Sequence, residues 1–231
     1  MIKNLITSSF NKLEFEPIAH AYTLDGVDMK PVSNVLKNYY EEFDTETASF
    51  NYALKTGMTQ QTVKDMWKSG SQAACDFGHE RHDFGERYFY DRSLVPSDGH
   101  ETAIVKFWNE IPSHIVPVLC ETKVYTKRLR YAGTFDLLLK NTLDGSAIIV
   151  DYKTNKDLFK NFRGKMMLPP FDFLLDTPYN HYQLQLSLYQ IPLEEIGITV
   201  SERWVIWLRA DGSYSKYDTY NYTEHLIPTL K

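Results

Sequence analysis

The sequence contains two cysteines, no long apolar run and fewer basic than acidic residues, and each shortage excludes a class of protein. Cys75 and Cys120 lie far apart and lack a metal-binding spacing, so neither a disulfide framework nor a four-cysteine iron–sulfur cluster is available. Apolar runs such as Ala147-Ile-Ile-Val150 are too short to span a bilayer, and the first residues lack the apolar segment of a signal peptide. We therefore expect a cytoplasmic protein without a membrane partner.

The formal net charge of −5 argues against broad wrapping of duplex DNA, because that mode of binding needs many basic residues facing phosphates. A local basic groove is still compatible with this charge. Basic residues are concentrated at residues 123–130 and 153–165. Both stretches can also be read as ordinary solvated loop charges.

The first half of the chain predicts a hairpin followed by helices. Alternating segments at residues 13–16 and 20–24, with the turn signal Asp25-Gly26, are typical of a β-hairpin. A helix capped by Ser33 is expected over residues 32–40. Further helical patterns occupy residues 44–56, 59–92 and 103–110, and Ser69-Gly70 is a place where the longest could break.

The second half predicts a sheet with a crossing helix. Three successive strands are expected at residues 116–125, 132–140 and 146–153, a helix at 179–190, and strands at 203–209 and 214–220. The order αβββαβ with one extra strand predicts an α/β fold with a mixed central sheet. A length of 231 residues with 43% hydrophobic content suits one domain, with residues 1–112 forming the hairpin and helical region and 113–231 the core sheet.

Two carboxylates and an amine are expected at adjacent strand ends. Asp136 lies within the second core strand, and Asp151-Tyr152-Lys153 ends the third. Because side chains alternate along a strand, Asp151 and Lys153 face one side while Tyr152 points away and leaves its backbone carbonyl near the carboxylates. Oxygen ligands of this kind suit a hard cation such as Mg²⁺ beside a phosphodiester.

Four segments resemble the motifs of one nuclease superfamily. They are Gly78-His-Glu-Arg-His82, Gly133-Thr-Phe-Asp136, Asp151-Tyr-Lys153-Thr154 and Gln185-Leu-Ser-Leu-Tyr189. In this order and spacing they resemble the PD-(D/E)XK nucleases, within them the RecB-like exonuclease branch that includes phage nucleases and the mitochondrial genome maintenance exonuclease. The resemblance covers roughly residues 70 to 210. It implies a restriction-endonuclease-like core.

The resemblance also implies roles for these residues. His82, Asp136, Asp151 and the Tyr152 carbonyl would hold Mg²⁺ or Mn²⁺, and Lys153 would orient the attacking water or stabilise charge on the phosphate. An amine that only stabilises charge can keep its ordinary protonated state, and we favour this role for Lys153. A helical histidine such as His82 is otherwise more often structural or exposed.

Further residues are expected around this site. Gln185 and Tyr189 are four residues apart on one helix face, where they would contact a phosphate or orient Lys153. Glu86, four residues after His82, and Glu121, ahead of Asp136, are candidates for an outer shell around the metal. The plainer alternatives are that Tyr189 packs in the core and that Glu121 is a surface residue of its strand.

The connection from Asn155 to Tyr179 exceeds ordinary loop length, so it would form either a flap over the substrate or an apolar insertion packed on the flank of the domain. Lys156, Lys160, Phe162 and Arg163 within it are the candidate DNA-binding residues, because cations contact phosphates and an aromatic ring stacks on an unpaired base. Phe159 and Phe171 are further candidates for stacking.

The sequence therefore predicts a Mg²⁺- or Mn²⁺-dependent deoxyribonuclease, with an exonuclease on single-stranded DNA or DNA ends favoured by the resemblance. A structure-specific or restriction-type endonuclease is the second possibility. A non-catalytic DNA-binding or assembly subunit is the third, although such a subunit has no chemical reason to keep Asp136, Asp151 and Lys153 together. The expected partners are DNA and phage or host replication and recombination proteins, in the host cytoplasm if a phage encodes the chain.

Overall fold

One mixed sheet organises the protein. The computed structural model describes residues 2–17 and 19–230, and these form eight strands in the sheet. The strands are β1 (Leu13–Glu16), β2 (Ala21–Leu24), β3 (Val27–Pro31), β4 (Ile115–Thr126), β5 (Tyr131–Asn141), β6 (Ala147–Lys153), β7 (Val200–Leu208) and β8 (Tyr214–Asp218). Their order is β1-β2-β3-β5-β6-β7-β8, and β4 pairs along the other edge of β5. The β3–β5 and β6–β7 pairs are parallel and the others antiparallel, which confirms the predicted α/β fold with a mixed central sheet.

Strand β5 has a gap in its pairing along one edge. Along one edge, Tyr131 and Ala132 pair with β3, and Leu137 to Lys140 pair with β6. Between these two partners, residues 133–136 have no neighbouring strand on that edge. The sheet thus forks in the middle of β5, and side chains can enter the fork from both faces.

Seven helices surround the sheet within the described residues. They are α1 (Ile2–Phe10), α2 (Val32–Leu36), α3 (Thr45–Thr56), α4 (Gln60–Tyr90), α5 (Gly99–Glu110), α6 (Pro178–Glu195) and α7 (Thr223–Leu226), with 3₁₀ turns at Lys37–Tyr39 and Ile227–Thr229. Helix α6 buries Leu184 and Leu188 in one core, which we call the α6-side core. The end of α4 and helix α5 bury Phe84 and Phe107 in a second core on the opposite face, the α5-side core. No helix among the described residues combines the length and apolarity needed to cross a bilayer.

Helix α4 runs unbroken through Ser69-Gly70. Its 31 residues begin at the cap Thr59, whose side chain accepts from the backbone N–H of Thr62. A single glycine in an exposed helix costs only about 1 kcal/mol, which the rest of the helix absorbs. The first part of α4 packs against α3 and Phe43 and is largely exposed, whereas its last turns bury Phe84 and Tyr88. His82 therefore lies next to the sheet, where the buried part of α4 begins.

In the N-terminal region one local prediction was wrong and two elements were missed. Ser33 does not cap a helix, because α2 already begins at Val32, whose side chain is buried, and Pro31 at the N-cap makes no side-chain hydrogen bond. Helix α1 and strand β3 were not expected. Asp25-Gly26 joins β2 to β3, and both residues have the positive φ angles, 51° and 76°, that such a tight turn requires.

The connection from β6 to α6 packs on the flank of the domain. Leu158, Met167 and Phe171 are fully or almost fully buried in the α6-side core, and Met166 forms an isolated bridge with Leu175. Phe171 is therefore a core residue, and the expectation that it stacks on bases was wrong. The apolar side chains anchor the segment, while Lys156, Lys160 and Arg163 are exposed.

Candidate active site

The fork in the sheet places Asp136 at its centre. Asp136 is the last β5 residue before the paired segment that starts at Leu137, and the backbone N–H of Tyr152 donates to Asp136 Oδ2 at 2.7 Å. This bond replaces a strand-to-strand hydrogen bond at the point where β5 and β6 separate. The carboxylate of Asp136 is thereby fixed between the two strands.

A histidine and two carboxylates converge at this point. His82 Nδ1 lies 3.3 Å from Asp136 Oδ2 and 3.8 Å from Glu121 Oε1. One ligand atom from each of these three residues lies within 4.8 Å of the others. Of the residues expected near the metal, the structure thus brings His82, Asp136 and Glu121 into one group.

Glu121 enters this group through an unusual backbone conformation. Its φ angle is 41°, in the left-handed region that a non-glycine residue adopts at a cost of about 1–3 kcal/mol. Before it, Cys120 points into the α5-side core, and after it, Val124 points into the α6-side core, so the alternation of β4 changes at Glu121. The sequence suggested only an outer position for Glu121, because no residue pattern signals a left-handed glutamate within a strand.

Asp151 and Lys153 form the second half of the site. Lys153 Nζ lies 2.6 Å from Asp151 Oδ2, as expected for side chains two residues apart on one strand face. Asp151 is only 1% exposed, and neither of its carboxylate oxygens accepts a well-aligned hydrogen bond from the described residues. The contact with the Lys153 ammonium is a close, buried ion pair. Asp151 itself is not a member of the three-residue group.

Two opposing effects, burial and contact with charged neighbours, set the pKa values of the site residues. Burial lowers the pKa of His82, but Asp136 and Glu121 outweigh it and raise the pKa to about 10. Burial raises the pKa of Asp151 to about 6 despite the opposing effect of Lys153. Burial also lowers the pKa of Lys153, yet Asp151 and Asp136 more than compensate and hold it above its ordinary value. Lys153 is therefore charged at neutral pH, the state expected of an electrostatic stabiliser.

Gln185 and Tyr189 line the α6 side of the fork. Gln185 Nε2 donates to the Tyr189 hydroxyl at 3.0 Å, and the charges of Asp151 and Asp136 add to burial in raising the pKa of Tyr189. A Cβ atom at Gly133 would lie 2.6 Å from Cε1 of Tyr189. Glycine at this position therefore allows the tyrosine to reach the unpaired stretch of β5.

Two residues near Lys153 had not been expected to contribute. The Lys153 ammonium lies 4.6 Å from the centroid of the Tyr182 ring, and the Tyr182 hydroxyl donates to Asn155 Oδ1 at 2.8 Å. Tyr182 follows the first turn of α6, so it covers the amine from the side opposite the sheet. Only its spacing of three residues from Gln185 hints at this position in the sequence.

The remaining predicted residues surround the site at different distances. The Tyr152 side chain points into the α5-side core, as strand alternation requires, and packs against Gly85, whose Cβ would lie 3.3 Å from the tyrosine ring. The role of the Tyr152 carbonyl stays a prediction. Glu86 is outside the ligand group, although its charge contributes to raising the pKa of Glu121 after burial and Asp136.

The predicted DNA-binding residues lie on the outer surface of the connection after β6. Lys156, Lys160, Phe162 and Arg163 are exposed, Phe162 by 68%. The guanidinium of Arg163 lies 5.0 Å from the centroid of the Phe162 ring. Within the described residues, neither lysine makes an ion pair, and Arg163 contacts only this ring.

The donor set fits a hard divalent cation. Two carboxylates and one imidazole offer oxygen and nitrogen ligands at compatible separations, and the buried carboxylate of Asp151 adds oxygens that lack aligned partners. Mg²⁺ prefers carboxylate oxygens and retains several waters, and Mn²⁺ accepts an imidazole more readily. His82, Glu121 and Asp136 are therefore the residues that would hold such an ion, with Asp151 beside it.

No protein-family model matches the sequence, and no curated protein matches it significantly. The resemblance to the nuclease superfamily therefore stays a prediction that depends on the four motifs.

Proposed function

We propose that the protein is a metal-dependent nuclease of the PD-(D/E)XK type that hydrolyses phosphodiester bonds in DNA. The observation that carries this proposal is the convergence of His82, Glu121 and Asp136 beside the Asp151–Lys153 pair at a fork of the sheet. Each motif that resembles the RecB-like branch supplies at least one residue to this fork or its lining. A buried ion pair adds little net stability to a fold, and its position beside two further carboxylates favours a role in chemistry.

The residues of the chain would divide the work as follows. A bound Mg²⁺ supplies a Lewis acid for the phosphate and lowers the pKa of water. The Lys153 ammonium, charged and 14% exposed, faces the phosphate and stabilises negative charge as it develops. Asp151 holds Lys153 in place, and Tyr182 covers the amine and limits access of bulk water. Gln185 and the Tyr189 hydroxyl offer hydrogen bonds on the α6 side of the fork.

The substrate is DNA, and we propose an exonuclease that acts on single strands or strand ends. The exposed cations Lys156 and Lys160 follow directly after Lys153 in the chain and supply a local basic surface on a protein of net negative charge. Such a surface grips a short stretch of backbone and does not wrap a duplex.

Digestion of end-labelled linear DNA and of covalently closed circular DNA, with Mg²⁺ and with EDTA, tests the proposal. We expect Mg²⁺-dependent release of label from the linear substrate and no nicking of the closed circle. The Asp136→Asn variant is the matched control and should be inactive on both. Efficient cutting of the closed circle would make the protein an endonuclease, and no cleavage of either substrate by the wild type would contradict the proposal.

A further inference from the structure

Four aromatic rings form a cluster beside Lys153. In the parallel pairing of β6 with β7, Trp207 is the direct neighbour of Lys153, and its indole N–H donates to the carbonyl oxygen of Asn155 at 2.7 Å. The Phe159 ring centroid lies 5.2 Å from that of Tyr179, 5.3 Å from that of Tyr217 and 6.5 Å from that of Trp207. We call Phe159, Tyr179, Trp207 and Tyr217 the aromatic platform.

Phe159 is the exposed member of the platform. It is 46% exposed although three rings surround it, whereas Leu158, the residue before it, is completely buried. Leu158 anchors the backbone, and the neighbouring rings restrict the rotamers of Phe159. A ring held in this way presents a fixed apolar face to solvent and loses little conformational entropy when a flat partner stacks on it.

Cations without carboxylate partners flank the platform. The guanidinium of Arg209 lies 4.5 Å from the centroid of the Trp207 ring and donates to the hydroxyls of Ser213 and Ser215 at 3.2 and 2.6 Å. Within the described residues, Arg209 makes no ion pair, and the same holds for Lys156 and Lys160 on either side of Phe159. Arg209 thus lies against one ring of the platform, and Lys156 and Lys160 are close to Phe159 in the sequence.

Two carboxylates that are close to these cations in the sequence make hydrogen bonds to the backbone and no ion pair with them. Asp157 Oδ1 accepts from the backbone N–H of Phe159 at 2.8 Å, and Asp211 Oδ1 accepts from the backbone N–H of Ser213 at 2.9 Å. Both side chains are thus used to form local turns. The surface combines a rigid aromatic face with cations, which is the pattern that binds a base together with its adjacent phosphates.

We propose that the aromatic platform binds an unpaired nucleobase of the substrate, stacked on Phe159, with Arg209 and the flanking lysines on the neighbouring phosphates. A duplex keeps its bases stacked within the helix and offers no free face, so the platform selects single-stranded nucleic acid. The inference rests on the proposed nuclease function for the placement of the scissile phosphate at Lys153, and it adds the residues that bind an unpaired base of the single strand. It makes Phe159 and Arg209 specificity-determining residues.

The experiment measures binding in EDTA, where cleavage does not intervene. Short oligo(dT), oligo(U) and a duplex of equal length are titrated against the wild type, Phe159→Ala, Phe159→Leu, Phe159→Tyr and Arg209→Ala. Phe50→Ala is the matched control, because Phe50 is 52% exposed on α3 and makes no aromatic contact with the platform. Melting curves establish that each variant folds.

The expected results follow from the loss of the stacking face. Phe159→Ala and Phe159→Leu should weaken single-strand binding about tenfold or more, and Phe159→Tyr should bind like the wild type. Arg209→Ala should weaken binding and reduce its salt dependence, and Phe50→Ala should change neither. A loss on oligo(dT), on oligo(U) or on both supports the proposal, and the larger loss identifies the preferred nucleic acid.

Unchanged single-strand binding by Phe159→Ala and Phe159→Leu would overturn the platform, as would wild-type protein that binds the duplex more tightly than either single strand. The two proposals fail separately. Wild-type protein that cleaves DNA while the Phe159 variants bind normally would overturn the platform alone. Wild-type protein that never cleaves while these variants lose single-strand binding would overturn the nuclease function and leave the platform in place.

Discussion

Two clusters in this protein contain the same residue types, histidine, aspartate and lysine, in very different surroundings. The first is the site cluster of His82, Glu121, Asp136, Asp151 and Lys153. The second, which we call the latch cluster, consists of Tyr40, Glu41, Lys165, Asp176 and His181. It joins the connection after β6 to the start of α6 and to the segment after α2.

The latch cluster is well satisfied. His181 Nε2 lies 2.7 Å from Asp176 Oδ1, and the Tyr40 ring stacks on His181 with centroids 4.3 Å apart. Lys165 Nζ lies 3.6 Å from Asp176 Oδ2 and 3.2 Å from Glu41 Oε2. Both oxygens of Asp176 therefore have a partner, and the lysine is shared between two carboxylates.

The site cluster holds an excess of acid that its own cations do not balance. Three carboxylates face one lysine and one histidine, and the pKa of His82 rises to about 10 against the effect of burial. In the latch cluster, burial outweighs Asp176 and lowers the pKa of His181. Residue types alone therefore do not distinguish the two clusters. The feature that favours a functional role for the site cluster is unbalanced buried charge at a break in the sheet.

The largest expected effect is a loss of activity when a carboxylate of the site cluster is removed. Asp136→Asn or Asp151→Asn should reduce DNA cleavage by about a thousandfold or more, because each change removes a charged group from the cation site with almost no change in volume. Their thermal stability should change little, because the loss of one carboxylate relieves the repulsion between Asp136 and Asp151 and leaves two carboxylates beside Lys153 and His82. Cleavage rates and melting curves of both variants check this, and near wild-type turnover by either variant would be incompatible with the site.

The next effect concerns the amine. Lys153→Ala should lower turnover by about a hundredfold, because a charge aimed at the phosphate is lost, while the affinity for Mn²⁺ changes little. Single-turnover cleavage and calorimetric Mn²⁺ titration measure the two properties. Lys106→Ala, an exposed lysine of α5, serves as the control. If only metal affinity fell, the role assigned to Lys153 would be wrong.

A substitution of Glu121 tests whether this residue is a metal ligand, as the structure indicates, or lies in an outer position, as the sequence suggested. Glu121→Gln should weaken Mn²⁺ binding and cleavage by about 10- to 100-fold, because one charged oxygen ligand is lost. Glu86→Gln removes an equal charge nearby but outside the ligand group, and it should have a much smaller effect. Equal effects of the two variants on Mn²⁺ affinity would show that Glu121 acts only through its charge at a distance.

The latch cluster should respond in stability rather than in activity. Asp176→Asn should lower the free energy of unfolding by about 1–3 kcal/mol, because both carboxylate contacts weaken in a mostly buried position. Its cleavage rate should fall by less than tenfold. Urea denaturation and the cleavage assay compare it with Asp151→Asn, for which the reverse pattern is expected. A loss of activity as large as that of Asp151→Asn would erase the distinction between the clusters.

The smallest effect is a pH dependence. The pKa of His181 is lower in the folded protein than its ordinary value of about 6.5 in the unfolded chain. At pH values below about 6.5 the unfolded chain therefore binds more protons than the folded protein, and stability falls as the pH drops through this range. His181→Gln, which keeps a hydrogen-bond donor, should lose less stability than the wild type between about pH 7.5 and 5.5. Parallel urea titrations at both pH values measure this, and identical losses in the two proteins would contradict it.

The sequence predicted the parts of the fold that depend on local pattern. The strands that carry Asp136, Asp151 and Lys153 and the helices that carry His82 and Gln185 follow from periodicity and turn signals, and the alternation rule placed Asp151 and Lys153 on one face. The fork in β5 could not be predicted, because it depends on parallel pairing with β3, a strand that the pattern did not reveal. Long-range register is absent from any local signal.

The same limit explains why the sequence suggested only an outer position for Glu121 and did not indicate Trp207. Glu121 reaches the ligand group through a left-handed backbone angle that the sequence does not encode in a recognisable motif. Trp207 lies 54 positions after Lys153 in the chain. It becomes a neighbour of Lys153 only through the parallel register of β6 with β7. Phe162 and Phe171 both lie in the connection after β6, yet Phe171 is buried and Phe162 is 68% exposed. Tertiary packing decides which aromatic residues remain available.

A crystal structure of the protein soaked with Mn²⁺ tests the central claim most directly. The account predicts an anomalous difference peak between His82, Glu121 and Asp136, at ligand distances from all three, and the loss of this peak in Asp136→Asn crystals soaked in the same way. A wild-type crystal with no peak at these residues, or with its Mn²⁺ bound elsewhere, would contradict the assignment of the fork as a metal-dependent active site.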